Sequence, residues 1–272
     1  MFTLFFVEDL PTTVGARYEF ANEDANHAIR VLRMQTGAEF MLSDGNGAWS
    51  QVKAVDVSKK SMQVQVIDSG FQEALPTTIT VVQALPKGDR SKEAIELLTE
   101  AGVDRIVPWA ATRSIGKGTD KFAVTAREAS KQSRRFRIPE VTPLATTAQI
   151  CEAIKLSDLA IAFHESATHK LSDQISSHNG QHLLIIIGPE GGITDEELAA
   201  FEAAGASVTK DVWQADLIFK VNAPSDVEIE QIHYLQDNDL VIRKGKGYGE
   251  GALIKFALQN SNFLHNANNF FK

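Results

Sequence analysis

The sequence predicts an α/β protein preceded by a small all-β domain, and three observations carry this. Residues 1–70 alternate short β-rich runs with Gly, Asp and Asn turns, the texture of a small β domain. From residue 77 strand-like and helix-like segments alternate, which favours a parallel sheet with crossover connections. The run Leu184-Ile185-Ile186-Ile187 then enters Gly188-Pro189-Glu190-Gly191-Gly192 and an acidic helix start. Four apolar residues suit a strand buried on both faces. The glycines allow close backbone approach to a ligand, and Pro189 fixes the turn. An ordinary tight strand–helix turn would satisfy the same spacing.

In the first part, residues 1–9 begin with an apolar strand. Residues 24–34 read as a short amphipathic helix with Ala25, Ile29 and Leu32 on one face. Residues 39–43 form a strand before the Asp44-Gly45-Asn46-Gly47 turn, and residues 62–67 form another before Asp68-Ser69-Gly70. A linker follows over 70–76. In the second part, strands are expected at 79–84, 105–109, 159–163 and 182–187, and helices at 91–101 and 122–134. Thr194 with Glu197 three residues later is a capping-box signature for a helix over 195–204.

Composition narrows the function classes. At 272 residues with 43% apolar content, the chain can bury two modest cores. Its formal charge of −8 means that nucleic-acid contacts must come from local clusters. Candidates are Arg30 with Arg33, Lys59-Lys60, and the run 131–137, where four of seven residues are basic. Each could equally be a solvated face. The single cysteine, Cys151, excludes an intramolecular disulfide and a Cys-rich zinc site, and favours a reducing, cytoplasmic setting. The apolar start is too short and lacks the basic region of a signal peptide. No stretch reaches the ~18 apolar residues of a membrane span, and the seven histidines show no metal-ligand spacing.

Five motifs in order resemble one family. They are His27-Ala28-Ile29-Arg30-Val31-Leu32-Arg33-Met34 with Gly37 and then Asp44-Gly45; Gln83-Ala84-Leu85-Pro86-Lys87-Gly88-Asp89-Arg90 followed by Thr99-Glu100-Ala101-Gly102-Val103; Gln132-Ser133-Arg134-Arg135; Ile138-Pro139-Glu140; and the glycine loop with its acidic helix. Over residues 1–209 the chain resembles the RsmE-type 16S ribosomal RNA uridine-N3 methyltransferases. The resemblance implies a PUA-like β-barrel over 1–70 that binds RNA, then a knotted parallel α/β domain of the SPOUT class over 77–209. It also implies S-adenosylmethionine as cofactor, a homodimer, no metal, and 16S ribosomal RNA in the assembled small subunit as partner.

The family's third motif, a strand with Leu-Gly-x-x-Ile-Leu-Arg-x-Glu-Thr and a last helix, has no counterpart here. Residues 211–224 are instead similar to a segment of the amino-terminal domain of alanine dehydrogenase and the transhydrogenase α subunit. Residues 210–272 are therefore expected to be an atypical ending that leaves the knot incomplete. Residues 217–221 read as a strand and 226–235 as a helix, so the ending could fill the missing place physically. Residues 247–252 fit G-x-G-x-x-A after the strand-like run 240–243, but too few residues follow for a dinucleotide-binding unit.

By resemblance, Ile187, Gly188, Pro189, Glu190, Gly191 and Gly192 hold the cofactor, with His164 and Glu165 as a further wall. His164 also fits a surface histidine after a strand. Gln132 and Arg135 are the candidate catalytic pair, three apart on one helix face: the amide would pair with the uracil edge while the guanidinium grips a phosphate or the deprotonated base. Arg135 also fits a solvent-facing helix end. Arg30, Arg33, Lys87, Arg134 and Arg137 are candidate RNA contacts. Glu190 fits a helix N-terminal charge better than a catalytic base. Three functions compete: the methyltransferase, an RNA-binding remnant lacking its third cofactor motif, and nicotinamide-nucleotide binding through the tail.

Overall fold

The computed structural model describes residues 2–88, 90–116, 118–164, 169–170, 180–211, 239–243 and 253–257. The chain divides into two compact units, Met1–Pro76 with Val124–Pro139, and Thr77–Ala123 with Glu140–Lys272. Residues 124–139, placed with the α/β domain by the sequence, therefore pack with the first unit.

The first unit is a curled five-stranded sheet. Its strands are β1 (Leu4–Phe6), β2 (Arg17–Phe20), β3 (Glu39–Ser43), β4 (Ala48–Val57) and β5 (Met62–Phe71), in the order β1-β3-β4-β5-β2. The β3–β4–β5 meander is antiparallel, while β1 joins β3 in parallel. Alternation in β5 buries Met62, Val64 and Val66 and turns the intervening residues outward. These side chains close over a triad of Phe5, Phe20 and Phe40, whose ring centroids lie 5.4–5.6 Å apart.

Helix α1 (Glu23–Arg30) covers this core with Ala25 and Ala28, and Asn22 caps its start by accepting from the Ala25 amide. It is shorter than its sequence pattern suggests. The Val31 and Leu32 amides both turn back to the His27 carbonyl, Arg33 takes φ 55°, and Leu32 is left 42% exposed. The expected apolar face thus ends at Ile29.

The second unit is built on a parallel seven-stranded sheet. Strands β6 (Thr78–Ala84), β7 (Arg105–Trp109), β8 (Glu140–Val141), β9 (Leu159–Phe163), β10 (His169–Lys170), β11 (His182–Ile187) and β12 (Ser207–Asp211) lie in the order β10-β12-β9-β11-β6-β7-β8. Helix α2 (Arg90–Glu100) follows β6, and α3 (Phe122–Ser133) follows β7 and carries the chain into the first unit. Helices α4 (Thr147–Lys155) and α5 (Asp195–Ala204) pack together, and with Trp109, Leu184, Ile186 and Phe201 they form the core of one sheet face. The Trp109 and Phe201 rings meet edge to face at 5.2 Å.

Strand β6 steps to β7 and β8 on one side, while β11, β9 and β12 lie on the other. The order therefore reverses between β6 and β11, and open parallel sheets bind ligands beyond the carboxyl ends of strands at such a point.

Residues 239–243 and 253–257 pair as a separate antiparallel two-stranded sheet. The expected strand at 217–221, the helix at 226–235 and the glycine pattern at 247–252 lie outside the described residues.

Candidate functional site: a glycine loop at the sheet's switch point

Strand β11 delivers the glycine loop. Leu183, Leu184, Ile185 and Ile186 are buried on alternating faces, each contributing about 1.5–3 kcal/mol. Beyond Ile187 the Gly192 amide donates to the Pro189 carbonyl at 2.9 Å, closing a tight turn with Gly192 at φ 76°. Helix α5 starts where the sequence places it: Thr194 accepts from the Glu197 amide, and the Glu197 carboxylate accepts from the Thr194 amide.

Two neighbouring segments hold the loop from the β6 and β7 sides. Glu190 Oε1 accepts from the Lys87 amide at 3.1 Å and from Arg90 Nη1 at 3.0 Å, joining the loop to the entry of α2. Burial alone would raise the Glu190 pKa, but the Lys87 and Glu190 backbone amides and the Arg90 guanidinium hold it below its ordinary value. It is thus a clasp and a weak base. From the segment after β7, Arg113 Nη1 donates to the Gly191 carbonyl at 2.8 Å. A Cβ on Gly191 would lie 3.3 Å from Arg113 Cβ, and one on Gly188 would meet Ile193 at 2.7 Å. A side chain at 188 would force Ile193 to shift, and one at 191 would press on Arg113.

Beneath the loop, Glu197 Oε1 accepts from the Thr112 amide at 2.8 Å and the Thr112 hydroxyl at 2.9 Å. Its residue is only 4% exposed. Burial would raise its pKa, but the donated hydrogen bonds from Thr112 and Thr194 carry it below the ordinary value. Close by in sequence, Ser114 Oγ is buried without a partner among the described residues. The Arg113–Gly191 and Thr112–Glu197 pairs lie too far apart in sequence for spacing to signal them.

Ile187, Gly188, Pro189, Glu190, Gly191, Gly192 and Lys87 therefore gather at one end of the sheet. His164 follows β9, the neighbour of β11, while Glu165 lies outside the described residues.

Gln132, Arg134, Arg135 and Arg137, with Arg30 and Arg33, belong to the first unit. The shared helix face expected for Gln132 and Arg135 does not form. Helix α3 ends at Ser133, and Arg134 takes φ 57°, which turns the chain before Arg135. Arg135 is 8% exposed, so the reading as a solvent-facing helix end fails. Arg137 donates through Nε and Nη2 to the Gln72 carbonyl, with its guanidinium over the Phe71 ring. Lys131, in the same basic run, is clasped by Asp24 and Glu128, each at 2.6 Å. Gln132, Arg30 and Arg33 are exposed. Among the described residues no group of His, Cys, Asp and Glu could hold a metal ion, and no helix is long and apolar enough to cross a membrane.

Residues 73–210 match the family described as RNA methyltransferase domain, and residues 20–67 match the RNA methyltransferase PUA domain. A Mycobacterium bovis protein named ribosomal RNA small subunit methyltransferase E is 34% identical over 215 residues, 75% of this chain and 81% of that one. The chain belongs to the ribosomal RNA small subunit methyltransferase E family.

The family's Bacillus subtilis member is 28% identical over 71% of this chain and 79% of its own. Among solved structures, a probable rRNA-methyltransferase from Porphyromonas gingivalis superposes with a TM-score of 0.65 at 26% identity, covering 76% of this chain and 88% of that one. The Neisseria gonorrhoeae ribosomal RNA small subunit methyltransferase E, solved bound to S-adenosyl methionine, shares the fold with a TM-score of 0.69 at 20% identity, covering 81% and 90%. The PUA-like and SPOUT-class fold expected from the sequence is thus the family's fold. The domain match ends at residue 210, and the stretch likened to alanine dehydrogenase lies, apart from Asp211, outside the described residues.

Proposed function

We propose that this chain transfers the methyl group of S-adenosylmethionine to N3 of a decoding-region uridine in 16S ribosomal RNA, acting in the cytoplasm as a homodimer on the assembled small subunit. The observation that carries the reading is the glycine loop 188–192, set at the strand-order reversal and held by the Glu190 bonds to Lys87 and Arg90 and by the Arg113 bond to the Gly191 carbonyl. A loop with no side chains at 188, 191 and 192 lets a nucleoside approach its backbone closely. Ser114 Oγ, in the segment that supplies Thr112 and Arg113, is buried without a partner among the described residues and is a polar group of the kind such a ligand would satisfy.

When bound, the cofactor supplies an electrophilic sulfonium methyl. The chain's own part is to hold and exclude. Residues 188–192 would fix the adenosine by backbone contacts, with His164 and Glu165 as a wall. Gln132 and Arg135 would hold the uracil edge and favour its deprotonated form, and Arg30, Arg33, Lys87 and Arg134 would contact the RNA backbone, whereas the Arg137 guanidinium is engaged by the Gln72 carbonyl. Placement of a flipped-out base in line with the methyl supplies most of the rate.

The test uses small subunits lacking the modification, incubated with the chain and methyl-labelled S-adenosylmethionine. Label recovered as 3-methyluridine at one position is the expected result. Label on another base, or none while the cofactor binds, overturns the proposal.

One observation favours a second reading, an RNA-binding chain without methyl transfer. The methyltransferase-domain match stops at residue 210, and about a fifth of the mycobacterial relative's length has no counterpart in its match to this chain. Calorimetry with the cofactor separates the two, because the second reading requires RNA binding without cofactor binding.

A further inference from the structure

Glu197 has a place in the site that its capping role does not account for. A capping box needs one carboxylate oxygen facing its own helix start, and here Oε2 does this by accepting from the Thr194 amide at 3.1 Å. The other oxygen leaves the helix. Oε1 accepts from the Thr112 amide at 2.8 Å, from Thr112 Oγ1 at 2.9 Å and from Thr147 Oγ1 at 3.5 Å. Thr147 Oγ1 in turn accepts from Trp109 Nε1 at 3.2 Å, at the last residue of β7. One buried carboxylate therefore ties the exit of β7, the first turn of α4 and the start of α5.

This has a consequence at the glycine loop. Thr112 is followed directly by Arg113, whose guanidinium holds the Gly191 carbonyl. Fixing both the amide and the hydroxyl of Thr112 fixes the origin of the Arg113 side chain. The same carboxylate fixes residue 194, two positions beyond Gly192. Glu197 thus anchors the loop at its own exit and through the segment that grips it. Its partners are all donors, a pattern that a carboxylate satisfies with both oxygens and an amide cannot.

We propose that Glu197 is a positioning residue for the methyltransferase site, acting through Thr112 and Arg113 to hold the glycine loop in its binding geometry. The proposal rests on the methyltransferase reading only for the ligand. The loop geometry itself can be tested with no cofactor present.

The variants are Glu197→Gln, Thr112→Val and Thr112→Ser. Amide hydrogen exchange of the full chain without ligand should show faster exchange at Thr112 and Gly192 in Glu197→Gln, with the amides of β9 and β11 unchanged. Calorimetry with S-adenosylmethionine should show affinity weakened about tenfold in Glu197→Gln, the effect of losing one charge-assisted hydrogen bond. Affinity for RNA should be unchanged. Thr112→Val should weaken the cofactor less than Glu197→Gln does, and Thr112→Ser should restore wild-type values.

Unchanged exchange at Thr112 and Gly192 in a folded Glu197→Gln chain overturns the proposal. So does exchange that rises equally across β9 and β11, which would mark a general loss of stability. If the wild-type chain does not bind the cofactor, the methyltransferase reading fails, while the exchange data still decide whether Glu197 holds the loop.

Discussion

A single carboxylate in the glycine loop separates two chemical roles. Glu190 stands where an acid could be mistaken for a general base, yet its Oε1 is engaged by the Lys87 amide and Arg90. Its pKa lies below the ordinary 4.5, and a base so weak gives little driving force for proton transfer near neutrality. Glu190→Gln keeps an acceptor oxygen for the Lys87 amide, so methyl transfer should stay within about tenfold of wild type, whereas a general base would lose about 10²–10⁴-fold. Single-turnover kinetics on small subunits checks this. Cys151 is similarly unsuited to chemistry: burial raises its thiol pKa, and its Sγ lies 3.7 Å from the Ala200 carbonyl.

Among the elements, helix α3 shows that a basic run is not one functional unit. Lys131 is only 11% exposed and joins α3 to α1 through Asp24, while Arg137 braces the end of β5 at Gln72. Arg33 lies in an exposed turn after α1, with no ion pair among the described residues. Lys131→Ala should therefore destabilise the chain by about 1–3 kcal/mol, between the limits for surface and buried ion pairs. It should leave the salt dependence of RNA binding unchanged. Arg33→Ala should do the reverse, lowering the slope of log K against log salt by about 1 with little change in stability. Urea unfolding and RNA titrations at several salt concentrations read the two effects.

For the molecule as a whole, these clasps make stability depend on acidity. Glu190 and Glu197 both have folded-state pKa values below the ordinary 4.5, because donated hydrogen bonds outweigh burial. The unfolded chain therefore binds protons more readily. Their contribution is fully present above pH 4.5 and is lost as pH falls below it, through the folded-state values. Thermal unfolding should show a midpoint that is steady near neutrality and declines below pH 4.5. Glu197→Gln should flatten that decline, and an undiminished decline in the Glu190→Gln, Glu197→Gln double variant would assign it to other carboxylates.

The sequence by itself determined what local patterns encode. The apolar run 184–187 with its glycines specified a buried strand entering a tight turn, and Thr194 with Glu197 specified where α5 begins. Both depend on residues within a few positions of one another, as did the strands at 105–109 and 159–163. Tertiary structure decided the rest, because the controlling partners are distant in the chain. The end of α1 before Leu32, the turn at Arg134 that separates Gln132 from Arg135, and the packing of 124–139 with the first unit follow from contacts that no spacing shows. The same holds for the second oxygen of Glu197. A capping glutamate is visible in the sequence, but its bonds to Thr112, 85 residues away, exist only because the parallel sheet brings the ends of β7 and β11 to the same edge.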